Sequence, residues 1–251
     1  MSWGIAIVAG GVCPDKLAVR LGTPRKALAK FGGRTSLEIV LEAAHQADIG
    51  PIATVGGEDL RNYIHYGGMI DETTSAVDNA IAASAMLNTE RLVILPADMP
   101  FVTGEAIRSF VERLDSRITE PRWYAGGLCR QKTFRDAYPT WETSPIYLRE
   151  GRVLSGGFFA ATPEGLTFGR DLFNAIRHSR KSQFAMMRKF GFGALARYFA
   201  RMMSIAEAER RLGHVLQGQV IIDLEADPGS IVDFDNVDEY DEAERLYKGV
   251  T

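Results

Sequence analysis

Three short stretches of this chain carry residues whose types and spacing suit a polyphosphate and a metal ion. The first is Ala9-Gly10-Gly11, which closes an apolar run from Ile5 and leads through a polar stretch to Lys26. Adjacent glycines let backbone N–H groups approach phosphate oxygens with no Cβ in the way. A lysine adds a mobile positive charge. The stretch is not a P-loop, since no Gly-Lys-Ser/Thr follows. Nor is it a Gly-x-Gly-x-x-Gly turn, because residues 10–15 read Gly-Gly-Val-Cys-Pro-Asp. A tight turn beside a solvated lysine gives the same pattern. The second stretch is Pro96-Ala97-Asp98-Met99-Pro100, where two prolines stiffen the loop around a carboxylate. Asp98 there suits Mg²⁺, which takes one or two carboxylates plus phosphate oxygens, or a turn or capping role. The third is Asp233 and Asp235, which share a face if Val232–Asn236 is extended. Paired carboxylates repel unless a cation or proton lies between them; a solvent-facing acidic edge is the other reading.

The surrounding elements must bring these stretches together. Ile5–Ala9, Pro51–Val55 and Arg91–Leu95 are short apolar runs, each of a length for a buried parallel strand. Helical spacing follows in Gly33–Asp48, with Ser36 as a plausible cap, in Ser75–Asn88, and in Thr103–Leu114, capped by Thr103. Strands alternating with helices predict βαβ units and a parallel sheet between helix layers, with ligands at the carboxyl ends of the strands. Gly10-Gly11 and Asp98 both fall on that edge. Later strands are expected at Trp123–Ala125, Gln219–Leu224 and Ile231–Asp235; Tyr147–Ala161 contains a turn at Glu150-Gly151 and the pair Gly156-Gly157 before an apolar run, and a last helix is expected at Asp238–Tyr247. The fold class is therefore a three-layer α/β/α, Rossmann-like arrangement with a mostly parallel sheet. Residues 1–251 read as one domain, with 171–212 as a basic helical insertion.

Composition sets the outer limits. The chain has 251 residues, 46% apolar and 24% charged, which is ordinary globular usage. A net charge of -3 gives no reason to expect nucleic acid as a partner. Two cysteines, Cys13 and Cys129, are too few for a disulfide framework and fit a reducing, cytoplasmic setting. No basic leader precedes the first strand, and no apolar run reaches the roughly 20 residues of a membrane span, so a soluble protein is expected. The histidines, at 45, 65, 178 and 214, are scattered and are assigned no chemistry.

Taken in order, Val8-Ala9-Gly10-Gly11, Pro24-Arg25-Lys26-Ala27-Leu28 and Phe31-Gly32-Gly33-Arg34 resemble the opening of the MobA-like NTP transferases. Leu95–Pro100 resembles that family's metal-binding aspartate loop. Val232-Asp233-Phe234-Asp235-Asn236-Val237-Asp238-Glu239-Tyr240 is similar to its late Asp-hydrophobic-Asp-Thr-Pro-Glu-Asp segment. The resemblance implies a GT-A-like fold and transfer of a nucleoside monophosphate from an NTP to a phosphorylated or hydroxylated acceptor, with release of pyrophosphate. By the same resemblance Ala9, Gly10 and Gly11 cradle the nucleotide, and Lys26 contacts its phosphates. Asp98 and Asp235 hold Mg²⁺, with Asp233 as the other candidate ligand, and Lys26 and Asp98 are the catalytic pair. Asp78 and Asn79 would contact base or ribose, and Gly156-Gly157 resembles an acceptor-side glycine turn. Three departures stand out. The glycine loop is longer and lacks a Ser-x-Arg-Met run, Asn236-Val237 replaces Thr-Pro, and Phe158 stands where an asparagine is expected.

Two further classes compete. A glycosyltransferase of the same fold binds a nucleotide-sugar but carries Asp-x-Asp in mid-chain, where this chain has only Asp98. A non-catalytic nucleotide-binding protein has less need of two separated metal acids. The segment 171–212 combines many Arg and Lys with Phe and Met. It reads as amphipathic helices over the sheet, and its composition also admits peripheral contact with an anionic membrane surface or homodimerisation.

Overall fold

The computed structural model describes residues 2–73, 75–179 and 203–250. The chain opens with β1 (Trp3–Val8), α1 (Asp15–Leu21), the short strands β2 (Lys30–Phe31) and β3 (Arg34–Thr35), and α2 (Ser36–Ala47). Strands β4 (Ile52–Gly56) and β5 (Gly68–Asp71) lead to α3 (Ala76–Leu87), β6 (Arg91–Pro96) and α4 (Gly104–Asp115). Next come β7 (Trp123–Arg130), α5 (Gln131–Ala137), β8 (Ile146–Leu148), β9 (Gly151–Ala161) and α6 (Pro163–Ser179). The described chain ends with α7 (Ile205–Leu216), β10 (Gln219–Asp223) and α8 (Val237–Val250).

One eight-stranded sheet runs β10-β7-β9-β6-β1-β4-β5, with β8 paired to β9. Strands β6, β1, β4 and β5 are mutually parallel, as is β10 with β7; β9 runs antiparallel between β6 and β7. Central strands covered on both faces must be apolar throughout, and β1 is buried over nearly its whole length. Alternate side chains divide the core in two. Trp3, Ile5 and Ile7 pack with α2 and α4 on one face, whereas Ala6 joins Ala80 and Ala83 of α3 and Leu166 of α6 on the other. Helix α4 shows the sequence logic plainly. Ile107, Phe110, Val111 and Leu114 recur along one stripe and are buried, while Arg108 and Glu112 face solvent. Full burial of a side chain such as Phe110 contributes about 1.5–3 kcal/mol. The expected three-layer α/β/α architecture is present.

Local expectations differ in four places. The cap of α2 is Thr35 rather than Ser36: Thr35 is extended, and its hydroxyl accepts from the Glu38 amide while Glu38 accepts from the Thr35 amide, a reciprocal capping box. Ile231–Asp235 is not a strand. Asp227 caps a 3-10 turn over Pro228–Ile231, and residues 232–236 run on without a strand partner. Gly156-Gly157 lies inside β9 rather than in a turn, where the pairing with β7 shifts register opposite Gly126–Leu128. Of the expected basic insertion, 171–179 continue α6 and 205–212 belong to α7, while 180–202 lie outside the described residues. No helix among the described residues is long and apolar enough to cross a membrane. Cys13 and Cys129 are free and buried.

Candidate active site

The carboxyl end of β1 lies between those of β4 and β6. The Ala9 amide donates to the Val55 carbonyl at 2.8 Å, and the Ala97 amide donates to the Val8 carbonyl at 3.1 Å. These bonds set Gly10-Gly11 and Asp98 side by side at the sheet edge. The stretch from Val12 to Arg25, which sequence reading left as a polar loop, contains α1 and closes on itself. Val12 pairs with Arg25, and the Cys13 amide donates to the Pro24 carbonyl at 2.8 Å. Closure returns Lys26 to the glycines, its amide 3.4 Å from the Gly11 carbonyl.

The two glycines differ. A Cβ on Gly10 would lie 2.0 Å from a Glu72 carboxylate oxygen, whereas one on Gly11 would meet no atom within 4 Å. Glu72 is held there by Arg25, at 2.8 Å. The Arg25 guanidinium also donates to the Gly10 carbonyl at 3.2 Å and to both carboxylate oxygens of Asp59. One arginine thus ties the glycine loop to the rim beyond β4 and β5. Sequence reading missed it, although it adjoins Lys26.

From the opposite side comes the segment after the 3-10 turn. Val232 and Phe234 are buried and Asp233 and Asp235 are exposed, so the two acids share one side without a strand. Phe234 is the anchor, its ring centroid 5.6 Å from those of Phe31 (tilted) and Tyr240 (edge-on), while the Tyr240 hydroxyl donates to the Lys30 carbonyl at 3.0 Å. The Asn236 side chain accepts from the Glu239 amide at 3.0 Å, and Glu239 accepts from the Asp235 amide at 2.6 Å. Asparagine in place of the family's threonine therefore keeps the capping function at the start of α8.

These pieces converge on the Lys26 ammonium. It donates to an Asp98 carboxylate oxygen at 3.3 Å and contacts Asp235 directly. Its side chain is 13% exposed, against 77% for Asp235, so the acid from the late segment is the open side of the cluster. Burial, the largest influence on Lys26, works to lower its pKa, but the hydrogen bond it donates to Asp235 and the charge of Asp98 outweigh it and hold it above the usual lysine range. Asp233 responds oppositely. Its crowded surroundings strip water from the carboxyl, and the like charges of Asp98 and Asp235 add to that, pushing it up to about 6 although the residue keeps open surface.

The other expected positions have different neighbours. The Asn79 side-chain oxygen accepts from both the amide and the hydroxyl of Thr73 at 2.7 Å, and Asp78 pairs with Arg170 of α6 at 2.5 Å. Both sit in the first turn of α3, capped by Ser75. Gly156 and Gly157 lie behind the acid-bearing segments: a Cβ on Gly157 would be 2.3 Å from the Met99 sulfur, and one on Gly156 would be 3.1 Å from the Ser230 hydroxyl. Phe158 is fully buried against Phe110 in the core, which accounts for an apolar residue after the glycine pair.

Among solved structures, a hypothetical transferase from Thermus thermophilus superposes with a TM-score of 0.84 at 23% identity, covering 96% of this chain and all 100% of its own. A CMP:2-keto-3-deoxy-manno-octonic acid synthetase complexed with CTP gives 0.64 at 12% identity, with 100% of both chains covered. The 4-diphosphocytidyl-2C-methyl-D-erythritol synthase of Anaerococcus prevotii gives 0.60 at 13% identity, covering 98% of this chain and 96% of that one. At these identities the likeness is one of fold. No curated protein matches the sequence. The family model for the MobA-like NTP transferase domain matches residues 5–188, a span that reaches every strand of the main sheet but β10 and holds the glycine loop and the aspartate loop, and the chain belongs to this family of nucleotidyltransferases.

Proposed function

We propose that the protein moves a nucleoside monophosphate from an NTP to a phosphorylated or hydroxylated acceptor and releases pyrophosphate, with Mg²⁺ held by Asp98 and Asp235. The observation that carries this reading is the convergence of Lys26, Asp98 and Asp235, from three distant stretches, beside the open backbone of Gly11.

The donor set suits the metal. Two hard carboxylates face one shared positive charge, and Asp233 stands beside them, its carboxyl raised first by burial and then by the charges of Asp98 and Asp235. Among the described residues no group of three His, Cys, Asp or Glu is placed to hold a metal without help. Mg²⁺ needs only one or two protein carboxylates, because water and substrate phosphates complete its shell. When bound it would neutralise charge on the phosphates.

The chain's own groups do the rest. Gly10 and Gly11 offer backbone amides to the triphosphate with no Cβ at position 11, while Ala9, its own amide bonded to the Val55 carbonyl, fixes where the loop begins. Lys26 moves from the carboxylates to the leaving pyrophosphate and stabilises its charge. The acceptor oxygen attacks the α-phosphorus in line, and rate enhancement comes from positioning and charge rather than a protein nucleophile. Pyrophosphate release measured across four NTPs and a panel of acceptors tests the reaction. Asp98→Ala should abolish turnover with its melting curve intact; turnover equal to wild type would remove the assignment.

A further inference from the structure

A cleft of about 510 Å³ opens beside Asp233. Trp141, itself only 8% exposed, gives it an apolar wall, and Thr143 and Ser155 bring hydroxyl groups. Its charged lining residues are Glu142, Asp233 and Glu239, with no lysine or arginine among the described residues that line it. The adjoining cleft across Trp141, about 410 Å³, adds Asp238 and Glu242, the latter paired with Arg245 at 2.6 Å. The cation nearest in the reaction centre, Lys26, is already engaged by Asp98 and Asp235. Ser155 directly precedes Gly156, so the cleft abuts the strand that backs the Asp98 and Asp233 segments.

We infer that this cleft receives the acceptor, and that the acceptor presents a hydroxyl group and carries no phosphate or carboxylate; this rests on the nucleotidyl-transfer reading above and narrows it. A wall of carboxylates repels an anionic ester, because like charges brought together are costly and exclude the wrong partner. A polyol, sugar or amino-alcohol meets hydrogen-bond acceptors for its hydroxyls and an indole edge for its carbons. In the transfer, the hydroxyl oxygen forms a new bond to the α-phosphorus and the α–β anhydride bond breaks. The electron pair of that bond leaves with pyrophosphate, and the hydroxyl proton is released to water.

The test uses the full chain with Mg²⁺ and whichever NTP raises its melting temperature most. Erythritol, glucose and glucosamine are each offered beside their own monophosphate, with pyrophosphate release and thermal shift as the two readouts. The unphosphorylated members should exceed their monophosphates by at least about tenfold in kcat/KM. Glu142→Lys, at an exposed position, should cut that ratio about tenfold with an unchanged melting temperature. Preference for the monophosphates, a ratio indifferent to Glu142→Lys, or an NTP-stabilised protein that consumes neither member would each overturn the inference. Failure of every NTP to shift the melting temperature would instead remove the nucleotidyl-transfer reading, and the acceptor assignment with it.

Discussion

Lys26 and Asp98 meet at 3.3 Å although 72 positions separate them, and the same ammonium holds Asp235 from the far end of the chain. A single positive charge therefore balances two carboxylates where the proposed cation would sit. Replacing it by methionine leaves Asp98 and Asp235 facing each other. Lys26→Met should cost about 1–2 kcal/mol, discounted for the solvent around Asp235, or a few degrees in a chain of this size. Mg²⁺ should restore more of the melting temperature in the variant than it adds to wild type, since the lysine no longer competes for the carboxylates. Calorimetry with and without Mg²⁺ decides it; equal shifts in both proteins would mean that the metal does not share these two acids.

The paired glycines separate folding from ligand approach. A methyl group on Gly10 collides with a carboxylate that Arg25 holds in place, so Gly10→Ala should disturb the Arg25 clamp and lower stability by about 1 kcal/mol. A methyl group on Gly11 meets nothing in the protein. Gly11→Ala should keep the wild-type melting curve yet raise the KM for NTP by about tenfold, if phosphates approach the backbone there as proposed. Steady-state kinetics on both variants, read beside their melting curves, checks the contrast.

The sheet was legible because β1, β4 and β6 are apolar runs of strand length, and burial on both faces leaves such strands little freedom of composition. Asp98 and Gly10-Gly11 were legible for the same reason, since a parallel sheet fixes which strand ends share an edge. What escaped were features set by non-local geometry. Helix α1 hides in a stretch of mixed polarity whose closure depends on the Val12–Arg25 pairing, and Arg25 itself has meaning only once Asp59 and Glu72 are beside it. The segment 232–236 kept its alternation without being a strand, because Phe234 needs a pocket more than the backbone needs a partner. Glu239 was within reach of sequence reading, standing three residues after the capping Asn236.

Acid should reveal one surface network in particular. Arg245 and Thr140 hydrogen-bond the Glu242 carboxylate and hold its pKa down to about 2, well below the ordinary 4.5. A depressed carboxyl contributes stability above its unfolded pKa and loses it as pH falls through the folded value. The window therefore runs from about pH 4.5 down to about 2. Because the group is near solvent, the contribution is modest, on the order of 1 kcal/mol or less. Glu242→Gln should lower the melting temperature slightly at pH 7 and hardly at all at pH 2. Melting curves across that range test it, and a deficit that persisted at pH 2 would assign the effect to packing instead.

Phe234 offers the sharpest separation between building the site and acting in it. The ring is fully buried, touches no expected substrate, and is wedged between Phe31 and Tyr240 while its neighbours Asp233 and Asp235 face the cluster. Truncation to alanine should cost about 3–5 kcal/mol, the transfer and cavity terms together. Leucine fills most of the pocket and should cost nearer 1–1.5 kcal/mol. Position, not chemistry, is what the ring supplies to Asp235, and a displacement of about 1 Å in such a group lowers rate on the order of a hundredfold. Urea titrations should therefore rank wild type above Phe234→Leu above Phe234→Ala, and pyrophosphate release per folded molecule should follow the same order. Turnover per folded molecule that stayed level while stability fell would show that Asp235 reaches the cation without this anchor, because the capping of α8 through Asn236 and Glu239 would then suffice to hold it.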